Sequence, residues 1–343
     1  MNGDEATSFD VLAAMIARQQ ERDGNVFPFV YRCQSPQGSA KQAADWVAER
    51  RDELLAQATD HGAVLFRDFP LRNAEDFDTF IAGLALENFP YEKSLSSAVR
   101  TSKTERVVTA NESPPGEDIL FHHEMAQTPH YPKWLMFFCE KPADRGGATP
   151  FCRSDWLYNR LIDECPDFVR DCTKKGLQYS YVMPVENDPN SSTGRSWRST
   201  LGVVCKDDAE ARLTELNYAF EWLGDDALRA TTPQLPAVME VAPGRHTFFN
   251  QLIAAYGGWK DSRNDPSCAI RHGDGSNLDS NAVLRAVALS EELSFDAEWI
   301  AGDVALIDNT IVMHGRRPFA GARNVLASLC EMKQQSFAPI ACS

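Results

Sequence analysis

From Lys41 to Asp60 the apolar residues recur at helical spacing, with Ala44, Val47, Leu54, Leu55 and Ala58 forming one stripe and charged residues filling the other face. Gly62 stands where a helix C-cap belongs, and the run Ala63 to Phe69 then reads as a buried strand. A second amphipathic helix is predicted over Ala74 to Leu86. A loop from Asn111 to Pro115 leads into a strand at Ile119 to Glu124. Further helices are predicted at Trp156 to Asp171, Ala209 to Leu216 and Asp225 to Arg229. The turn-rich run from Asp261 to Leu278 predicts a long loop, of the kind that forms a lid. A helix over Ala282 to Leu293 precedes strands at Val304 to Ile307, Ile311 to His314 and Asn324 to Met332. Short, turn-separated strands with helices between them predict a mainly β protein with α decoration, a jelly roll with helical insertions.

No internal repeat or low-complexity tract interrupts the chain, so residues 1–343 are expected to form a single domain. Residues 1–40 would be an N-terminal arm, and 155–235 and 255–295 helical or lid insertions. At 43% hydrophobic and 24% charged residues, the chain can bury a full core. No apolar run is long enough for a membrane span, and the acidic N-terminus does not resemble a secretory signal. Nine scattered cysteines without a C-x-x-C pair point to reduced thiols and a cytoplasmic protein. The formal charge of −15 opposes nucleic acid and disfavours docking of an acidic carrier protein, which leaves a free small-molecule substrate as the expected partner. Nothing in the sequence indicates an oligomeric state.

The candidate chemistry begins in the stretch Asp118 to Met125, DILFHHEM. Residues two apart on a strand share a face, so His122 and Glu124 point the same way and His123 the other. His314 closes a strand far downstream. Two imidazoles and a carboxylate on one side of a metal leave three positions open, the arrangement of non-haem iron(II) oxygenases. Spacing alone also allows a surface ion pair and a satisfied core histidine. Past His314 the sequence runs H-G-R-x-P-F-x-G-x-R, ending at Arg323. An arginine at a strand start suits the distal carboxylate of 2-oxoglutarate, and Thr149 in GGATP offers a hydroxyl.

Together, H-x-E, G-G-x-T-P and H-G-R-x-P-F-x-G-x-R resemble the TauD/TfdA superfamily of 2-oxoglutarate dioxygenases, and within it the clavaminate-synthase-like and syringomycin-hydroxylase-like branch. The stretches Asn111 to Pro114 and Phe249-Asn250-Gln251 add to the likeness, which spans roughly residues 60 to 335. The resemblance implies a double-stranded β-helix and oxidation of an unactivated C–H bond. It implies iron(II) on His122, Glu124 and His314, with 2-oxoglutarate on Thr149 and Arg323 and dioxygen as cosubstrate. Glu124 departs from the halogenase pattern, which has a small residue there. Ala327 stands where sulfonate-oxidising relatives carry a second arginine. By the same likeness the expected activity is hydroxylation or desaturation of an amino acid or a derivative of one, in secondary metabolism. A catalytically silent binding jelly roll is the rival reading. Candidate substrate contacts are Asn111, Glu112, Arg195, Arg198, Asn250 and Arg271, each with a plain alternative as a turn, backbone cap or solvated charge.

Overall fold

The computed structural model describes residues 9–337 except 23, 111–112, 192 and 260–262. Its largest sheet has seven strands in the spatial order Val11–Ala13, Phe29–Cys33, Ala63–Arg67, Val304–Asp308, His130–Lys141, Asn324–Gln334 and Val108–Thr109. Neighbours run antiparallel apart from Phe29–Cys33 beside Ala63–Arg67, a parallel pair whose crossover is helical. Strands buried on both faces read as unbroken apolar runs, and alternation sorts them by face. Val64, Phe66, Met136, Phe138, Val304 and Leu306 pack with the helices Ala40–Glu49, Arg51–His61 and Ala74–Gly83. Leu65, Leu135, Phe137, Ala305 and Ile307 turn to the opposite side.

That opposite side meets a four-stranded antiparallel sheet, in the order Ser294–Ala297, Thr149–Arg153, Val312–Arg316, Ile119–His122. Phe295, Phe151, Val312 and Phe121 close a common core with the large sheet. A further four-stranded sheet (Ala219–Trp222, Leu228–Thr231, Leu177–Met183, Ile270–His272) lies mostly within the segment read as an insertion.

Helix and strand occur in nearly equal measure, about 30% and 31%, so the molecule is mixed α/β and more helical than the pattern predicts. The helix expected over 41–60 is two, broken at Arg50; with the break, Trp46, Val47, Leu54 and Ala58 are all buried in one cluster. Ser39 and Gln42 form a capping box at its start. Pro166 opens a second helix, Pro166–Lys175, where one continuous helix was expected. The predicted helix at 225–229 is a turn followed by the strand Leu228–Thr231, because Asp225 and Asp226 both take positive φ. The strand His130–Lys141 was not predicted, since an apolar run without alternation carries no period. Within the long loop expected at 261–278, the short helix Pro266–Ala269 and the strand Ile270–His272 form. Among the described residues no helix is long and apolar enough to cross a membrane.

Candidate active site

His122 ends its strand directly opposite His314, and the two rings lie 4.3 Å apart at their centroids. The register then slips, so that Arg316 faces Ile119. Gly315 sits in this irregularity, where a Cβ would lie 2.3 Å from the Ile119 carbonyl oxygen. Only glycine lets the two backbones approach this closely.

The strand stops two residues before Glu124, which the sequence reading had placed on it. Glu124 lies in a turn followed by Met125 at φ 59°, and a side-chain clamp rather than strand alternation sets its position. The backbone N–H of Glu124 donates to Asn309 Oδ1 at 2.7 Å. Asn309 Nδ2 donates in return to the carbonyls of Glu124 (3.0 Å) and Pro132 (2.8 Å). The neighbouring His123 turns away: its Nδ1 meets the Asn309 carbonyl at 2.5 Å and its ring packs on Phe249.

The ligand atoms of His122, Glu124 and His314 fall within 4.8 Å of one another. His122 Nδ1 donates to the Leu120 carbonyl at 2.8 Å, which leaves Nε2 as the ring's lone-pair atom. Burial, reinforced by nearby His314, drives the His122 pKa down to about 3, so its imidazole is neutral. Burial alone would push the Glu124 carboxyl up, but Arg100 and then a hydrogen bond with His314 outweigh it and hold the group ionised, well below the usual carboxylate range. Two nitrogens and one carboxylate oxygen converging on one point fit a divalent first-row metal such as iron(II).

These groups form one wall of a cavity of about 490 Å³. Arg323 and Thr149 line it too. Arg323 donates from Nε to the Gly147 carbonyl (2.9 Å) and from Nη2 to Thr149 Oγ1 (3.3 Å). The same hydroxyl oxygen accepts from Trp299 Nε1 at 2.9 Å. With both lone pairs engaged, the Thr149 hydroxyl proton is left for a third partner. Burial, then the nearby Arg316, lowers the Arg323 pKa to about 10, and no carboxylate pairs with it among the described residues. A buried guanidinium without its anion, beside a hydroxyl with a proton to give, fits one end of a dicarboxylate. Gly146 and Gly147 turn the chain into this corner at φ 68° and 73°.

The other arginines of the motif are committed elsewhere. Arg316 donates to the carbonyls of Ser113, Pro114 and Glu117, holding the loop before the Ile119 strand. Arg317 pairs with Glu291 and Asp296.

Four sequence candidates lie away from the cavity. Arg195 is buried, but its donors go to Ser94, Ser96 and Ser199, and it braces the loop behind the wall. Arg198 is half-exposed on Glu186, and Arg271 is exposed and donates to the Gly275 carbonyl. Asn250 caps backbone groups at Ala237 and Leu252, whereas the adjacent Gln251 does line the cavity. Asn111 and Glu112 lie outside the described residues. Among the described residues, none between Thr149 and Gln251 lines the cavity, whereas Gly257, Gly258 and Trp259 contribute to it. Two participants went unread in the sequence, Asn309 and Arg100. Asn309 follows Asp308 in a short turn between two strands, and neither it nor Arg100 belongs to a motif.

Similarity to known proteins bears directly on this geometry. The family model for the taurine catabolism dioxygenase TauD, TfdA family matches residues 34–330. A clavaminate synthase-like protein of Arabidopsis thaliana is 42% identical over 281 residues, which is 82% of this chain and 84% of that one. The dapdiamide synthesis protein DdaC of Enterobacter agglomerans is 28% identical, with coverages of 82% and 84%. Among solved structures, PvcB of Pseudomonas aeruginosa superimposes with a TM-score of 0.51 over 96% of this chain and 94% of its own, at 14% identity, a likeness of fold. The match along most of its length, and a relative this similar in sequence, establish that the chain belongs to the TauD, TfdA family and is an iron(II)- and 2-oxoglutarate-dependent dioxygenase.

Proposed function

We propose that the enzyme hydroxylates or desaturates an amino acid or amino-acid-derived small molecule. In this reading His122, Glu124 and His314 hold the iron, and Arg323 with Thr149 holds the distal carboxylate of 2-oxoglutarate. The observation that carries it is the convergence of the three ligand atoms on the cavity that also contains the anion-free Arg323. The two facing sheets agree with the double-stranded β-helix of the family. Wall residues spread from Ser96 to Val325 support reading residues 1–343 as one catalytic unit. The part of DdaC in dapdiamide synthesis supports a biosynthetic setting.

Iron(II) with 2-oxoglutarate supplies dioxygen activation, with release of succinate and carbon dioxide and oxidation of a substrate C–H bond. The chain's own residues prepare the place. Leu120 fixes the His122 tautomer through its carbonyl, and Asn309 aims Glu124. Phe137, Leu120 and Trp259 give the cavity apolar wall that limits water around the reacting carbon. Glu124 fills the ligand position that a halide would need, which favours oxygen chemistry over halogenation.

Under anaerobic conditions, iron(II) and 2-oxoglutarate should give a weak visible charge-transfer band with the wild-type protein. His122→Ala and His314→Ala should abolish it, and a screen of amino acids should find one that stimulates succinate release. A band that survives in both variants would overturn the assignment of the ligands.

A further inference from the structure

Arg100 belongs to none of the sequence motifs, yet it stands in the cavity wall beside Glu124. Its Nη2 donates to both carboxylate oxygens, at 3.0 and 2.9 Å. Its guanidinium lies 5.1 Å from the centroid of the Tyr91 ring. That ring is itself fixed, by a 2.6 Å hydrogen bond from its hydroxyl to the Ala98 carbonyl and by Arg195 at 4.9 Å. The Arg100 side chain is only 4% exposed, and its Nε and Nη1 are buried without a hydrogen-bond partner among the described residues. Buried donors left idle are costly, so a position that keeps them is one where a ligand supplies the acceptor.

Charge points the same way. Among the described residues the inner wall carries Arg100 and Arg323 against Glu124, and Arg316 lies near the exposed Glu117 and Asp118. Iron(II) would add two positive charges and 2-oxoglutarate would remove two, so loading would not change the balance of these described groups.

We propose that Arg100 receives a free carboxylate of the substrate, so that the enzyme acts on a free carboxylic acid and not on the corresponding amide or carrier-bound thioester. The proposal rests on the iron and 2-oxoglutarate reading of the cavity and adds the substrate's anionic group to it. Arg100 keeps its contact with Glu124 and offers its idle donors to the acid. An amide or thioester has no anion to give them.

The experiment uses protein loaded anaerobically with iron(II) and 2-oxoglutarate, with the visible band recorded first. The twenty L-amino acids and their primary carboxamides are then titrated into wild type, Arg100→Gln and Arg100→Lys. At least one acid should bind wild type about 30-fold or more tighter than its carboxamide, as expected for loss of one partner from a buried charge pair. In Arg100→Gln, with iron(II) raised until the band saturates because Glu124 has lost its partner, that preference should collapse to within about 3-fold, and Arg100→Lys should retain part of it. The proposal is overturned if acids and amides bind wild type alike, if no acid binds, or if the preference survives in Arg100→Gln. It is equally overturned if saturating iron(II) and 2-oxoglutarate fail to restore the band in Arg100→Gln, because the residue then serves only to build the metal or 2-oxoglutarate site. A wild-type protein that forms no band refutes the underlying site reading, a failure visible before any amino acid is added.

Discussion

Replacing Asn309 by alanine removes three buried hydrogen bonds at once: the one accepted from the Glu124 N–H and the two donated to the carbonyls of Glu124 and Pro132. Each bond is worth about 1 kcal/mol net, and burying the orphaned partners adds to the loss, so the variant should unfold about 3–5 kcal/mol more easily. The clamp also sets where the Glu124 carboxylate points. Loss of such an outer support commonly weakens metal binding by about 10–100-fold. Asn309→Asp is the sharper variant, because it keeps an acceptor for the Glu124 N–H while turning a second oxygen towards two carbonyls. It should be at least as damaging as alanine. Urea unfolding of the metal-free protein measures the first effect, and anaerobic competition for iron(II) against a chromogenic chelator measures the second. An Asn309→Ala protein within about 1 kcal/mol of wild type and with unchanged iron affinity would refute the clamp as the device that positions Glu124.

Four other outcomes are expected. Arg323→Ala should raise the 2-oxoglutarate requirement by two to three orders of magnitude, from about 3–5 kcal/mol of lost buried charge pairing, with iron binding retained. Thr149→Val should cost less in cosubstrate affinity but also destabilise the fold, because Trp299 loses the acceptor of its indole N–H; titration of succinate formation and urea unfolding separate the two. Gly315→Ala should lose about 1–3 kcal/mol or more, since its methyl would collide with the Ile119 carbonyl; wild-type unfolding would show that the strands can part there. Burial raises the Asp303 carboxyl from 3.8 to about 7, only partly offset by Arg67. The folded state therefore holds this proton more tightly than the unfolded chain, and the stability it lends below pH 3.8 is lost as pH rises to about 7. Asp303→Asn should flatten that decline in unfolding free energy across pH 4 to 8, and an unchanged slope would count against it.

Much of the site was legible because its parts are carried by short motifs with a backbone reason behind each letter. The glycine after His314 marks a close approach, and the paired glycines before Thr149 mark a left-handed turn. The convergence of Glu124 with His122 was foreseen, but for the wrong cause: alternation requires a strand, and the strand ends at His122. What replaces it is an asparagine far along the chain, and no local pattern ties the two together. Arginines were the hardest to read. Arg195 and Arg100 have the same chemistry in sequence, yet one is saturated by serine and carbonyl oxygens and the other keeps idle donors beside Glu124. That difference is set by tertiary neighbours alone. The long strand His130–Lys141 escaped for a related reason, since burial on both faces erases the alternation that marks a strand.

The Asn309 clamp joins residues 185 positions apart, and this has a consequence for how the protein is made. At roughly 5–20 residues per second, Glu124 leaves the ribosome's catalytic centre about 10 to 40 s before Asn309 does. Throughout that interval the nascent chain carries His122 and Glu124 without the second imidazole or the amide that aims the carboxylate. With the proposed ligand set, iron capture would be an event of the finished fold. Iron supplied afterwards should raise apparent stability by mass action on the folded chain, but it cannot rescue a chain truncated before Asn309.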